Sequence, residues 1–229
     1  MNGDTMGKRL KGIDLLLLLF LVGFPFYLSC LEASESAPSG EPLVFSPEPE
    51  ERAFAVDPEK SSIAFLLDGN VHNTHGSVKK IEGRVTLAIS PDAALKKAEV
   101  SISMDADDLD TDNEKRDTRM KDKFLEVKKY PRIDFTSTDV TSLLGTEEII
   151  LFQAGNPLTI DLPGKLALHG VTKVITVEAT LSLVGDRFIA KGKTTLNLKD
   201  FNIKNPSMML LRVSNEVQIT FHIESIRII

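Results

Sequence analysis

The chain has 229 residues, of which 42% are hydrophobic and 26% are charged, a balance typical of a soluble domain with a buried core. The net charge of −6, without a stripe of basic and aromatic residues, argues against nucleic acid or an anionic lipid surface as the main partner. A single cysteine excludes an internal disulfide, so the core alone must hold the fold.

The amino terminus has the features of an export signal. A short basic stretch at 8–11 precedes an almost wholly apolar run at 13–28, and small and polar residues follow at once. Asp14 and Pro25 disfavour a permanent transmembrane helix, and the run is at the short end for spanning a bilayer. We therefore predict a signal peptide over residues 1–29, rather than a retained anchor.

The single cysteine lies where this apolar run ends. Leu28-Ser29-Cys30 resembles the lipobox of bacterial lipoproteins, in which the cysteine becomes acylated, although Tyr27 stands where that pattern has Leu or Val. The alternative is an incidental cysteine in a leader that is cut elsewhere, near Ala33. We predict lipidation at Cys30 and an exported protein, in the periplasm or on the outer membrane or cell surface as a tethered lipoprotein.

Residues 30–52 are dominated by Glu, Ser and Pro. Such a composition cannot bury enough apolar surface to order itself, and proline makes the segment a semi-rigid spacer. We predict a disordered tether over 30–52, followed by a folded domain over 53–229. The alternative is a disordered terminus with no spacing role.

Apolar residues recur at every second position through much of the folded part. This period predicts half-buried antiparallel strands and is clearest at 63–67, 83–89, 98–104, 166–168, 175–183 and 217–223. Turn signals separate the runs, and Gly185-Asp186 between two of them predicts a tight hairpin. Many short strands indicate a sandwich or barrel, with helical pattern only near 92–97 and 115–128.

The segment 115–128 predicts a short amphipathic helix. Met120, Phe124 and Leu125 fall on one helix face, and charged residues occupy the other. Tyr130-Pro131 then ends the helical pattern and starts an extended segment. We expect Phe124 and Leu125 to close one end of the fold or to line its opening.

A later strand indicates an internal cavity. Its even positions hold small residues at the centre, in the row Phe188, Ala190, Gly192, Thr194, Leu196 and Leu198. Small inward residues in an eight-stranded barrel leave room for a ligand. The alternative is that Gly192 marks a bulge or a barrel corner.

Several motifs occur in the order found in one protein family. They are Arg116 through Phe124 with the Tyr-Pro-x-Ile-x-Phe strand at 130–135, and the stretches 57–65, 78–85, 164–173, 196–203 and 214–217. Through them, residues 53–229 resemble the YceI-like polyisoprenoid-binding family. The resemblance implies an all-β fold: an eight-stranded antiparallel lipocalin-like barrel, with one or two short helices, around an elongated apolar tunnel. It also implies binding of a long isoprenoid or quinone-like lipid.

The same resemblance, with the alternation above, gives the expected site. The apolar tunnel is predicted to be lined by Phe65, Phe124, Leu125, Ile133, Phe135, Leu168, Ala190, Gly192 and Phe221. Head-group contacts are expected from Arg116, Asp117 and His169. The alternatives are that Arg116 and Asp117 form an ion pair pinning the helix to the barrel, and that His169 makes hydrogen bonds within a turn.

The sequence contains no strong motif for a catalytic or metal-binding site. His72 and His75 would face opposite sides of a strand, and the acidic run 105–112 lacks the glycine and terminal glutamate of a calcium loop. We expect a binding protein without catalytic residues, metal or cofactor beyond its lipid, and leave a homodimer open. The alternatives are an enzyme that acts on such a lipid, and a surface interaction protein whose barrel is filled solid.

Overall fold

The computed structural model describes residues 48–91, 94–137, 150–151, 157–207 and 210–228. The signal peptide predicted for 1–29, the acylated Cys30 and the tether up to residue 47 lie outside the described residues and stay predictions. Among the described residues, no helix has both the length and the apolar character needed to cross a bilayer.

The described residues form an antiparallel sheet that closes on itself. Its strands are β1 Glu50–Val56, β2 Ser62–Gly69, β3 Thr74–Val78, β4 Glu82–Ile89, β5 Ala94–Asp105, β6 Leu109–Asp110, β7 Arg132–Ser137, β8 Ile150–Leu151, β9 Leu158–Leu168, β10 Val171–Val184, β11 Arg187–Asn197 and β12 Val213–Arg227. β1 begins at Glu50, so its first residues fall within the tether predicted over 30–52.

The hydrogen bonds run around the barrel in the order β1-β4-β5-β7-β9-β10-β11-β12 and return from β12 to β1. β12 pairs with β1 near Arg227 and with β2 from Val213 to His222, so β1 and β2 share one position in the barrel. β3 with β4, and β5 with β6, share two further positions in the same way. The prediction of an eight-stranded antiparallel barrel is confirmed, with three of its positions divided between consecutive strands.

One end of the barrel is filled by a packed core, and we call it the core end. It carries the predicted two-residue hairpin, in which Val184 pairs with Arg187 across Gly185-Asp186. Phe54 and Phe188 meet there with ring centroids 5.8 Å apart, and each is at most 2% exposed. Inward residues of β4 and β10 complete this core, including Val85, Leu87, Leu181 and Leu183. The packed side chains close this end of the barrel, and Val85, Leu181 and Phe188 also line the bottom of its interior.

The opposite end carries α1 Glu114–Arg119, which continues as a π-helical turn, Met120–Phe124, and we call it the helix end. The Asn113 side chain caps α1 by accepting a hydrogen bond of 3.0 Å from the Arg116 backbone N–H. The helix predicted over 115–128 is therefore confirmed in position but is shorter. Leu125 follows its last turn, and β7 starts at Arg132.

The helical pattern predicted near 92–97 is wrong for the residues that are described. Residues 94–97 belong to β5, where Ala94 and Leu95 pair with β8 and Lys97 pairs with β4. Alanine, leucine and lysine favour a helix intrinsically, but such preferences amount to tenths of a kcal/mol per residue. Pairing with strands on both sides outweighs them.

Candidate ligand-binding cavity

A cavity of about 450 Å³ lies inside the barrel, within the size range of small-molecule sites in proteins. Inward side chains of β2, β5, β7, β9, β10, β11 and β12 form its wall, together with Met120, Phe124 and Leu125 from the helical segment. Among the described lining residues the polar ones are Thr74, Arg116, Arg119, Thr194 and Lys204. The interior is therefore an apolar chamber.

Eight of the nine predicted tunnel residues line this cavity. They are Phe65, Phe124, Leu125, Ile133, Phe135, Leu168, Ala190 and Phe221. They come together because successive inward positions on antiparallel strands share one face of the closed sheet. Contact of each with a ligand stays a prediction.

Gly192 is the exception, because the ring of Phe221 covers it. A Cβ atom on Gly192 would lie 2.6 Å from Cζ of Phe221 and would collide with the carbonyl oxygen of Glu178. The register from Arg187 to Asn197 against β12 is continuous, so Gly192 marks no bulge. The interpretation of Gly192 as a narrow, open part of the wall is thus wrong: this glycine provides the space that a neighbouring ring occupies.

Two further glycines are covered by rings in the same way. A Cβ atom on Gly76 would lie 2.6 Å from Cε1 of Phe65, which is its direct partner across β2 and β3. One on Gly164 would collide with the ring of Phe135. In each case the absent side chain lets a phenylalanine ring lie close against the strand instead of filling the chamber.

The cavity opens at the helix end. Along β12, Ile223 is 5% exposed, whereas the inward residues Phe221, Ile219 and Val213, closer to the helix end, are only half-buried. The exposed lining residues are Arg116, Lys204 and Leu211, which is 48% exposed. The mouth therefore lies between α1 and the connection from β11 to β12.

The charged side chains at this mouth are all basic among the described lining residues: Arg116, Arg119 and Lys204. Arg119 places its guanidinium carbon 5.4 Å from the ring centroid of Phe124, a cation–π contact. Arg119 and Lys204 were not expected from the sequence. Arg119 could have been identified because it precedes Met120 on the predicted amphipathic helix. Lys204 could not, because it lies in a loop, where the sequence has no periodic pattern.

Of the predicted head-group residues, only Arg116 lines the cavity. Its Nε donates to Oγ1 of Thr111 at 2.8 Å, and its Nη2 donates to the Thr111 carbonyl oxygen at 2.6 Å. Asp117 accepts from the backbone N–H of Thr111 at 3.0 Å and from its hydroxyl at 2.5 Å. Thr111 is 3% exposed, so both charged residues anchor the helix to the strand end through this buried threonine.

His169 lies outside the cavity lining. Its Nδ1 is 3.0 Å from the carbonyl oxygen of Phe201, and its Nε2 is 3.1 Å from a carboxylate oxygen of Glu126. The ring also meets Tyr130 edge-on, with centroids 4.7 Å apart. His169 and Gly170 form the β9–β10 turn with positive φ angles of 51° and 73°, so His169 joins this turn to two neighbouring segments.

The acidic run 105–112 forms ion pairs outside the cavity. Lys79 Nζ lies 2.6 Å from Asp110, and this hydrogen bond, with a backbone N–H from Asp112, lowers the pKa of Asp110 to about 2. Asp105 pairs with Arg132 at 2.8 Å. Within the part of the chain that the structure describes, no group of three or more His, Cys, Asp or Glu side chains is placed to hold a metal ion.

Comparison with known sequences gives consistent matches. The sequence profile of the YceI-like domain family matches residues 54–225. A UPF0312 protein of Pseudomonas putida is 34% identical over 139 residues, which are 58% of this chain and 65% of that protein. Protein YceI of Salmonella arizonae is 32% identical over 162 residues, 67% of this chain and 74% of that protein. The chain thus spans about 65% of the length of the first of these curated relatives.

Two solved structures share the barrel. A polyisoprenoid binding domain from Saccharophagus degradans, implicated in plant cell wall breakdown, superposes with a TM-score of 0.60 at 17% identity, over 76% of this chain and 97% of that one. BcnA of Burkholderia cenocepacia superposes with a TM-score of 0.56 at 22% identity, over 74% and 98% of the two chains. At these identities the likeness shows the fold alone.

Proposed function

Since this chain belongs to the YceI-like domain family, we propose that its barrel binds one long apolar lipid, of the isoprenoid or quinone-like class, inside the cavity. The observation that carries the proposal is the chamber of about 450 Å³, which is apolar, packed shut at the core end and open at the helix end. Such a chamber takes up a hydrocarbon chain and leaves the polar end of the lipid at the mouth.

The energetics favour a long chain. Each buried CH₂ group contributes roughly 0.8 kcal/mol, so affinity rises with chain length until the chamber is full. A dry apolar cavity also gives no hydrogen bonds to water, so filling it does not displace ordered water. The shared fold with the polyisoprenoid binding domain of Saccharophagus degradans supports the choice of lipid class.

Two alternatives are less well supported. A barrel filled solid by side chains conflicts with the cavity. An enzyme acting on the lipid needs a positioned acid, base or nucleophile, and the described lining residues include no His, Cys, Asp or Glu. The hydroxyl of Thr194, which does line the cavity, donates to the carbonyl oxygen of Thr176 at 3.0 Å. Sequestration or carriage of the lipid therefore fits the site better than turnover.

The proposal includes export and a membrane tether. Residues 1–29 have the order of charge, apolar run and small residues of a signal peptide, and Cys30 follows directly. Acylation there would hold the barrel beside a lipid source or destination in the periplasm or at the cell surface. Stable anchoring takes more than one acyl chain, as in a fully modified lipoprotein.

The test is mass spectrometry of an organic extract of the purified full-length protein. We expect one lipid class at close to one molecule per barrel. Ala190→Phe, which fills the cavity, should lower the lipid content several-fold, whereas Lys191→Phe, on the exposed outer face of the same strand, should retain it. Wild-type protein that carries no lipid and binds no added prenyl lipid would contradict the proposal.

A further inference from the structure

The charge at the cavity mouth is opposite in sign to that of the whole chain. The chain has 33 acidic residues against 27 lysines and arginines, a net charge of −6. Yet the described residues that line the cavity include three cations, Arg116, Arg119 and Lys204, and no carboxylate. Within the described residues, acidic and basic side chains are equal in number, so a mouth of that average composition would be close to neutral. The local excess of positive charge therefore requires its own explanation.

The three cations come from two separate segments. Arg116 and Arg119 belong to α1, and Lys204 follows the end of β11 in the connection to β12. Both segments border the opening at the helix end. Because the core end is packed shut, a lipid whose chain fills the chamber must leave its polar end at this opening. The cations are therefore where a head group would be.

The arginines are held in place before any ligand arrives. Two nitrogens of the Arg116 guanidinium are bonded to Thr111, which fixes the orientation of the group. Arg119 lies against the ring of Phe124, itself part of the wall. Among the described residues, no carboxylate forms an ion pair with Arg116 or with Lys204. Cations beside an apolar surface attract an anion more strongly than cations in bulk water do.

We propose that the mouth recognises an anionic head group, a phosphate or carboxylate on the end of the bound lipid, through Arg116, Arg119 and Lys204. This inference rests on the proposed lipid binding and narrows its ligand to anionic amphiphiles. A neutral alcohol or quinone of the same chain length fills the chamber equally well but forms no charge-assisted hydrogen bonds at the mouth.

The experiment compares three ligands with one C15 prenyl chain: the alcohol, the monophosphate and the carboxylic acid. Each competes with a fluorescent fatty acid analogue for the full-length protein. We expect the two anions to bind roughly 10- to 100-fold more tightly than the alcohol at low salt, in line with charge-assisted hydrogen bonding. The difference should shrink as sodium chloride is added, because these groups are partly exposed.

Variants test whether the anions bind through the cations at the mouth or through the overall charge of the surface. Lys204→Gln and Arg119→Gln should each reduce the affinity advantage of the anions over the alcohol several-fold, and Arg119→Lys should restore most of that advantage. Lys199→Gln removes an exposed charge near the same end but outside the cavity lining, and it should change nothing. Arg116 is left intact because its loss would also release Thr111.

The outcomes separate the two proposals. Equal affinity for the alcohol and both anions, or equal loss of all three in the variants, overturns head-group recognition while leaving lipid binding in place. Failure of all three ligands to bind overturns lipid binding itself. The last ligand to be tested is inorganic phosphate. If it binds as tightly as the prenyl monophosphate, the mouth is a site for free phosphate and the assignment to a lipid head group is wrong.

Discussion

The ring of Phe221 lies over Gly192, its direct partner across β11 and β12, so that a Cβ atom on Gly192 would be only 2.6 Å from Cζ of Phe221. Gly192→Ala should therefore push the ring into the chamber and strain the strand against Glu178. We expect unfolding to become easier by about 1–3 kcal/mol, as for other overpacked sites, together with weaker lipid binding. Denaturant titration and a lipid-displacement assay measure the two effects.

A double-mutant cycle separates the cost of the contact with the Phe221 ring from the cost of the contact with the Glu178 backbone. In a Phe221→Ala background, Gly192→Ala should cost less, because only the collision with the Glu178 carbonyl remains. Gly185→Asn is the control, since nothing lies within 4 Å of a Cβ atom at Gly185 and asparagine tolerates its φ of +58°. Identical costs of Gly192→Ala in both backgrounds would show that the ring does not occupy the space over the glycine.

The second prediction concerns Phe124, which lines the mouth under Arg119. Its ring is half-buried, so Phe124→Ala should cost about 1–3 kcal/mol, less than the 3–5 kcal/mol typical of a fully buried ring. Removing it also widens the mouth, so bound lipid should dissociate faster. Thermal melts and stopped-flow release of a fluorescent lipid provide the measurements. Phe124→Leu should keep most of the stability, and an unchanged melting temperature in the alanine variant would place the ring outside the packed wall.

The third prediction concerns acid stability. The hydrogen bond from Lys79 lowers the pKa of Asp110 from 3.8 to about 2, so folding favours the ionised carboxylate. This contribution is fully present from about pH 5 upward and is lost progressively as the pH falls through 3.8 and then through about 2. Lys79→Met should lower the melting temperature slightly at pH 6, and its effect should be much smaller at pH 2, where part of the Asp110 carboxylate is still ionised. Lys80→Met, which breaks the exposed pair with Glu82, is the control. An effect at pH 2 as large as the effect at pH 6 would assign it to packing.

The fourth prediction concerns His169, which joins three segments at the helix end. His169→Ala removes contacts with Phe201, Glu126 and Tyr130, and its alanine must adopt a positive φ of 51°. His169→Asn keeps a residue that tolerates this φ, so the two variants separate lost contacts from backbone strain. We expect both to increase hydrogen exchange of the neighbouring turns, with the larger increase in the alanine variant. Because His169 lies outside the cavity lining, neither should change the preference between prenyl alcohol and prenyl phosphate.

The last prediction concerns Cys30. If this cysteine is acylated, Cys30→Ser should move the protein from the membrane fraction to the soluble fraction, without changing its melting temperature. Intact mass of the wild-type protein should show the added lipid. Wild-type protein without lipid mass, together with unchanged fractionation of the variant, would leave the cysteine as an incidental residue of the leader.

The sequence predicts the barrel well because each strand has one buried face, which imposes a period of two. The division of three barrel positions between consecutive strands leaves no such trace, since it depends on which strands pair. The pairs of β12 with β1 and β2, for example, join residues 144 to 173 positions apart. Gly192 was misinterpreted for a similar reason: a glycine shows that a side chain is missing, but it does not show that Phe221 fills the space. Lys204 was not predicted as a cavity residue because it lies in a loop, where hydrophobic periodicity gives no information.

β12 pairs along one side with β11 and along the other with β1 and β2, and it is the last strand of the described chain to be synthesised. Until residues 213–227 are available, all three of those strands keep a row of unpaired backbone groups at the edge of an open sheet. Open edges recruit strands of other molecules, and closing such distant pairs is slow. Ring closure is therefore a late folding step, and a nascent chain stalled before Val213 would be an aggregation hazard rather than a smaller working barrel.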